Sequence, residues 1–148
     1  MNLNYARRSE DTEQIKVIAW AKWQEHVYPA LGLLYHCPNG GSRNRAEAVK
    51  LKQMGVRAGV PDLHLPAPKG IYPGLYIEMK YQDGRLGDSQ KEFLRLAAQA
   101  GNYCAVCYGA EMAINVLTEY LRLREREEMA APNLCIFQNG KVRPIHYK

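Results

Sequence analysis

A chain of 148 residues with 47% hydrophobic and 24% charged residues has the size and balance of one ordinary globular domain. No apolar run approaches the ~18–20 residues of a membrane span. The opening MNLNYARRSEDTEQ has no apolar stretch after its basic pair, so a secretory signal is not expected and a cytoplasmic location is. The net charge of +5 and pI of about 9.0 permit a polyanionic partner without requiring one.

In chain order, the first predicted element is a helix from about Ser9 to Val27. Ser9 can cap it, and Glu10, Asp11 and Glu13 favour its positive end. Ile15, Ile18, Ala19 and Trp23 fall near helical spacing and form its expected apolar face. Leu33 to Cys37 is a short strand candidate, and Pro38-Asn39-Gly40-Gly41 a turn. Ser42 can cap a second helix, which Gly55 ends. Asp62 to Leu65 and Leu75 to Lys80 read as strands, separated by the Pro- and Gly-rich loop 66–74. A third helix is expected from about Ser89 to Ala100, capped by Asp88 and stopped by Gly101. Strand 103–108 follows, then a fourth helix after Gly109 with apolar residues Ala113, Ile114, Leu117, Tyr120 and Leu121. Its tail, Arg122 to Glu128, is a mixed-charge solvated run. Leu134 to His146 reads as a hairpin around Asn139-Gly140. Alternating helices and strands point to a three-layer α/β arrangement.

The four cysteines are Cys37, Cys104, Cys107 and Cys135. Cys104 and Cys107 are three apart on a strand and so face opposite ways. With no second Cys or His pair nearby to complete a tetrahedral site, they read as buried reduced thiols.

Glu78-Met79-Lys80 is the feature that demands explanation. Leu75, Ile77 and Met79 share one strand face, and Tyr76, Glu78 and Lys80 the other. Two opposite charges therefore sit on one face of an internal strand. Asp62 opens the preceding strand, after Gly59-Val60-Pro61. If the two strands are neighbours, Asp62 and Glu78 converge, and such carboxylates repel unless a cation lies between them. Hard oxygen ligands suit magnesium or manganese. Lys80 would then orient an attacking water or stabilise developing negative charge. The plain alternative is a surface Glu–Lys pair with Asp62 an ordinary strand-start residue.

These residues resemble a known family. Pro61-Asp62 followed by Glu78-Met79-Lys80 is similar to the PD-(D/E)XK nuclease signature. The flanking sequence narrows the resemblance to the virus-type replication-repair nuclease (VRR-NUC) domain. It includes His36-Cys37-Pro38-Asn39-Gly40-Gly41-x-Arg43 and Lys52-x-Met54-Gly55-Val56-x-x-Gly59-Val60-Pro61-Asp62-Leu63. Tyr76 to Lys80, Gly84-Arg85 and Gln90 follow, then a Gly-x-Tyr strand and an amphipathic helix. The match covers about residues 10–121 and leaves a C-terminal hairpin extension, about 132–148, outside it.

The resemblance implies a restriction-endonuclease-like core, a central mixed β-sheet flanked by helices, in one domain spanning 1–148. It implies a divalent-metal-dependent DNA endonuclease, with Asp62, Glu78 and the Met79 carbonyl holding Mg2+ or Mn2+. Lys80 would activate water, and Gln90 would act behind the metal or beside the phosphate. An acid of the first helix often joins such sites; Glu10 fits best and Glu13 is the rival. His36, Asn39, Gly40, Gly41 and Arg43 resemble substrate-contacting surface, where a glycine-rich turn at a helix start suits phosphate. Arg45, Lys50, Lys52 and Arg57 add positive charge. No aromatic stripe is spaced along the chain for base stacking, so mainly backbone contacts are expected. Stand-alone members resemble symmetric dimers acting on branched DNA, so a homodimer working on four-way junctions is expected. The apolar strand Leu134-Cys135-Ile136-Phe137 needs covering, either by a second subunit, which makes it a candidate for that dimer contact, or by folding back on the chain's own sheet. The rivals are a catalytically silent nucleic-acid-binding module of the same fold, a nuclease acting on RNA or plain duplex, and a non-nuclease with a solvated basic helix.

Overall fold

The computed structural model describes residues 9–38 and 44–146. Its framework is a six-stranded sheet whose strands lie side by side in chain order. They are β1 (Tyr35–His36), β2 (Leu63–Leu65), β3 (Leu75–Lys80), β4 (Tyr103–Tyr108), β5 (Cys135–Gln138) and β6 (Lys141–Pro144). β3, β4 and β5 run parallel, while the β1–β2, β2–β3 and β5–β6 pairs are antiparallel. Parallel neighbours need crossovers. α3 (Asp88–Gln99) crosses from β3 to β4, and α4 (Ala110–Leu121) from β4 to β5. α1 (Glu10–Gln24) precedes the sheet and α2 (Arg45–Gln53) joins β1 to β2. The result is the expected mixed sheet flanked by helices.

Period-two alternation divides the sheet into two cores. Leu75, Ile77 and Met79 join α1 and α4 in the larger one. Tyr76, Cys104 and Val106 face the smaller one, which α3 covers through Leu94 and Ala97. Cys107 belongs to the larger core and Cys104 to the smaller, as their spacing requires. All four cysteines are free thiols. Burial pushes the Cys104 thiol up to about 12, which keeps it protonated and inert.

Several expectations shift by a residue or two. β1 has two residues, because Pro29–Leu33 forms a 3-10 helix and uses the first part of the expected strand. α2 is capped by Asn44, whose side chain accepts from Glu47 N; Ser42 lies outside the described residues. α3 begins at Asp88 with Gly87 at its N-cap, so Asp88 is helical and does not cap. The hairpin turn is as expected: Asn139 and Gly140 both have positive φ, 52° and 72°, the type I′ combination.

Two corrections go further. The first concerns α1. Its buried residues are Glu13, Val17 and Ala21, whereas Ile15 and Trp23 are 56% and 76% exposed. The apolar pattern misses this face because a glutamate occupies it. Glu13 Oε1 accepts the Ala110 N–H at 3.1 Å, capping the start of α4, and Glu13 Oε2 accepts from Lys16 Nζ at 3.0 Å. The second concerns the strand Leu134–Phe137. It lies parallel to β4 within the chain's own sheet, with Leu134 and Cys135 buried. A second subunit is not needed to cover it.

The buried cap has a measurable consequence. Glu13→Ala leaves the Ala110 N–H buried without a partner and should cost about 1–3 kcal/mol. Glu13→Gln, which keeps an acceptor, should cost less. Urea unfolding of the two variants checks the order; equal losses would show that charge rather than hydrogen bonding holds the contact.

Candidate active site

The β2–β3 register pairs Leu63 with Ile77. One step further along that antiparallel ladder, Asp62 comes opposite Glu78. Asp62 Oδ2 accepts the Met79 backbone N–H at 2.8 Å, which ties the Pro-Asp corner to β3. Glu78 is 3% exposed and Lys80 8%, so both charges lie inside the protein. Lys80 Nζ is 3.9 Å from Glu78 Oε1 and 3.9 Å from Glu10 Oε1.

Gln90 organises the cluster from the first turn of α3. Its Oε1 accepts from Gly87 N at 2.9 Å and from Lys80 Nζ at 3.2 Å, while its Nε2 donates to Glu78 Oε1 at 3.2 Å. One side chain thus closes the helix end and fixes both reactive candidates. These residues line one cleft of about 550 Å3, together with Glu10, Met79 and Arg85. Glu13, the rival of Glu10, is committed to the start of α4 and does not line the cleft.

Gly59 explains how the corner before Asp62 comes so close to α3. Its φ is +84°, and a Cβ there would lie 2.2 Å from the Ser89 carbonyl oxygen. Only glycine tolerates both conditions. Gly59→Ala should push the corner off α3, lowering both melting temperature and turnover, with strain of about 1–3 kcal/mol. An unchanged melting temperature would mean that the corner moves without resistance.

The electrostatics are those of two carboxylates that call for a cation. Burial first, and the neighbouring Asp62 charge second, push the Glu78 carboxyl up to about 9, with Lys80 pulling the other way. Glu78 Oε2 is buried without a hydrogen-bond partner. Orphaned buried polar atoms of this kind are rare in folded proteins and call for a specific reason. Among the described residues no three His, Cys, Asp or Glu side chains form a ready-made cage. Magnesium does not require one, because it keeps several waters and binds through one or two carboxylates. Asp62 and Glu78 therefore fit such an ion.

The other predicted residues divide. His36 is exposed on β1, and its Nδ1–H donates to the Asp62 carbonyl at 2.7 Å, next to the Cys37 N–H on the same oxygen at 2.9 Å. It braces the Asp62 backbone. Lys50 and Lys52 are exposed on α2 and do not line the cleft. Asn39, Gly40, Gly41 and Arg43 lie outside the described residues.

Sequence reasoning missed an aromatic row on the face that carries Glu78. Tyr35, His64 and Tyr76 are paired across β1, β2 and β3. His64 stacks flat on Tyr76 at 4.1 Å, and the Tyr35 hydroxyl meets His64 Nδ1 at 2.8 Å. Spacing along the chain cannot reveal such a row, because each strand contributes one member. Desolvation lowers the His64 pKa, which favours the neutral ring that can accept from Tyr35. Arg85 was also missed as a cleft residue, although it stands in the Gly84-Arg85 motif.

The family model for the VRR-NUC domain matches residues 7–111, from before Glu10 to the first turn of α4. The chain belongs to the VRR-NUC family. A solved structure described as a VRR_NUC domain protein is 33% identical, with a TM-score of 0.70. The alignment covers 80% of this chain and 93% of that one. No curated protein matches the chain. The VRR-NUC match identifies a nuclease family and includes Asp62, Glu78, Lys80 and Gln90, but it stops short of the β5–β6 hairpin. No helix among the described residues is long and apolar enough to cross a membrane.

Proposed function

We propose that this chain is a divalent-metal-dependent endonuclease that hydrolyses DNA phosphodiester bonds, selectively in branched DNA such as four-way junctions. The observation that carries the reading is the facing pair Asp62–Glu78, in which Glu78 is buried and its Oε2 lacks a partner. Asp62 and Glu78 would hold Mg2+ or Mn2+, with the Met79 carbonyl as a further oxygen ligand. Bound there, such an ion polarises a phosphate and lowers the pKa of water. Lys80, held by Gln90, places a positive charge where negative charge develops in the transition state. Glu10 supplies a further acid at the open side of the cleft.

One chain offers one such site, and paired incision of two strands needs two, which a twofold dimer supplies. The hairpin, paired with β4 in the chain's own sheet, does not supply that interface. Support comes from α1, where Ile15, Ala19 and Trp23 form an exposed i, i+4, i+8 stripe. The preference for junctions is supported by the family resemblance.

Purified protein incubated with labelled four-way junction, linear duplex and single-stranded RNA, with and without magnesium, tests the reading. Magnesium-dependent cutting of the junction at paired sites is expected, and light scattering should report about twice the 16.8 kDa chain mass. Binding without cutting would favour the silent module. Equal cutting of duplex and junction would remove the branch preference, and a monomer mass would remove the dimer.

A further inference from the structure

We propose that the cleft between the β3–α3 loop and the C-terminal hairpin is a second phosphate site. It would take the sugar-phosphate backbone of the DNA flanking the bond to be cut. This rests on the nuclease reading above and extends it to a part of the chain that the family match leaves out.

The first observation is register. Glu78 pairs with Val106, Val106 with Ile136, and Ile136 with Arg143. Residues opposite one another in a ladder share a face of the sheet. Arg143 therefore lies on the same face as Glu78, three strands away, or about 14 Å at the usual strand spacing. That is roughly four nucleotide rises along a DNA strand. The hairpin places its basic edge beside the active cleft.

The second observation is the cleft itself. It has a volume of about 480 Å3 and contains Arg85, Lys91 and Arg143 against one acid, Asp83. Arg85 lines the active cleft as well, so the two spaces share a wall. That wall is fixed: the Tyr108 hydroxyl, from the end of β4, donates to the Gly84 carbonyl at 2.6 Å.

The third observation is what these cations lack. Elsewhere Arg95 pairs with Glu92 and Arg124 with Glu127, each three residues away. Among the described residues no ion pair involves Arg85, Lys91 or Arg143, and the Arg143 guanidinium reaches only Gln138 Oε1, at 3.5 Å. Three cations gathered in a groove without carboxylate partners suit an anion supplied from outside. A continuous row of phosphates fits a track that runs from the active cleft past Arg85 to the hairpin.

The test is the double variant Lys91→Ser/Arg143→Ser, with Arg143→Lys as the conservative control. Binding of a fluorescent junction would be followed in EDTA across a salt series. Two lost phosphate contacts should reduce the log–log salt slope by about 1.8 and weaken binding about tenfold near physiological salt. In magnesium the loss should appear in KM rather than kcat, because neither residue touches the reacting atoms. Arg143→Lys should recover most of the slope. An unchanged slope in a double variant with wild-type melting temperature would overturn the proposal. Inorganic phosphate at matched ionic strength provides the other arm. If it binds with the same Arg143 dependence while junction binding does not change, the cleft takes small phosphates and the DNA assignment falls. Wild-type protein that neither binds nor cuts DNA would overturn the nuclease reading itself. Wild-type activity with an indifferent double variant overturns only the second site.

Discussion

Asp62→Asn and Glu78→Gln should each abolish cleavage while leaving the fold intact. Losing a metal ligand removes several kcal/mol of transition-state stabilisation, so turnover should fall by at least about 10^3-fold at 1.36 kcal/mol per decade. Stability should move the other way for Glu78. In the metal-free protein its carboxyl is raised from 4.5 to about 9, first by burial and then by Asp62. The folded state therefore binds this proton more tightly than the unfolded chain. The resulting stabilisation is complete below about pH 4.5 and is lost as pH rises towards about 9. Glu78→Gln has no such proton, so its melting temperature relative to wild type should climb through that window. Added magnesium should stabilise wild type increasingly as pH rises, and should do little for either variant. Melting curves in EDTA and in magnesium at several pH values measure this. Normal turnover by either variant would defeat the metal-site assignment.

Lys80→Ala should lower the rate by about 10^2–10^4-fold, the range for losing one positioned proton-transfer or charge-stabilising group. Lys80→Arg should not restore it. The ammonium sits between Gln90 Oε1, Glu78 and Glu10 within 3.2–3.9 Å, a space suited to a compact charge rather than a planar fork. Magnesium affinity, read from the metal-induced rise in melting temperature, should change little, because Lys80 supplies no ligand. Gln90→Ala should cause a smaller loss, since it frees Lys80 and Glu78 without removing either. A Lys80→Ala protein that cleaves at the wild-type rate would refute the role.

What could be read from the sequence follows from the range of each signal. β3 and β4 were legible to the residue, because alternation and flanking glycines are local. The facing of Asp62 and Glu78 was legible only on the condition that their strands are neighbours, which the antiparallel pairing of β2 with β3 supplies. The buried face of α1 was not, because Glu13 is buried for a hydrogen bond to Ala110, a residue 97 positions away. Nor was the hairpin's place in the sheet: nothing within Leu134–Phe137 indicates that β4 is its neighbour. The aromatic row and the Glu78–Arg143 alignment fall in the same class. Each consists of residues joined by pairing across strands, which no periodicity along the chain encodes.

α2 has no buried residue, and Val49 and the adjoining Met54 are 52% and 72% exposed. A helix of nine residues is too short to be stable in water alone, where about 12–15 residues are already marginal. Among the described residues its identified supports are the Asn44 cap and its own hydrogen bonds. The chain thus contains two thermodynamic units of very different depth. Amide protons of β3 and β4 should exchange only through global opening, whereas those of α2 should exchange nearly as in a free peptide. A ligand that grips α2 must supply the free energy that orders it. Substitutions on this helix should therefore register in affinity while leaving the unfolding transition of the sheet where it was.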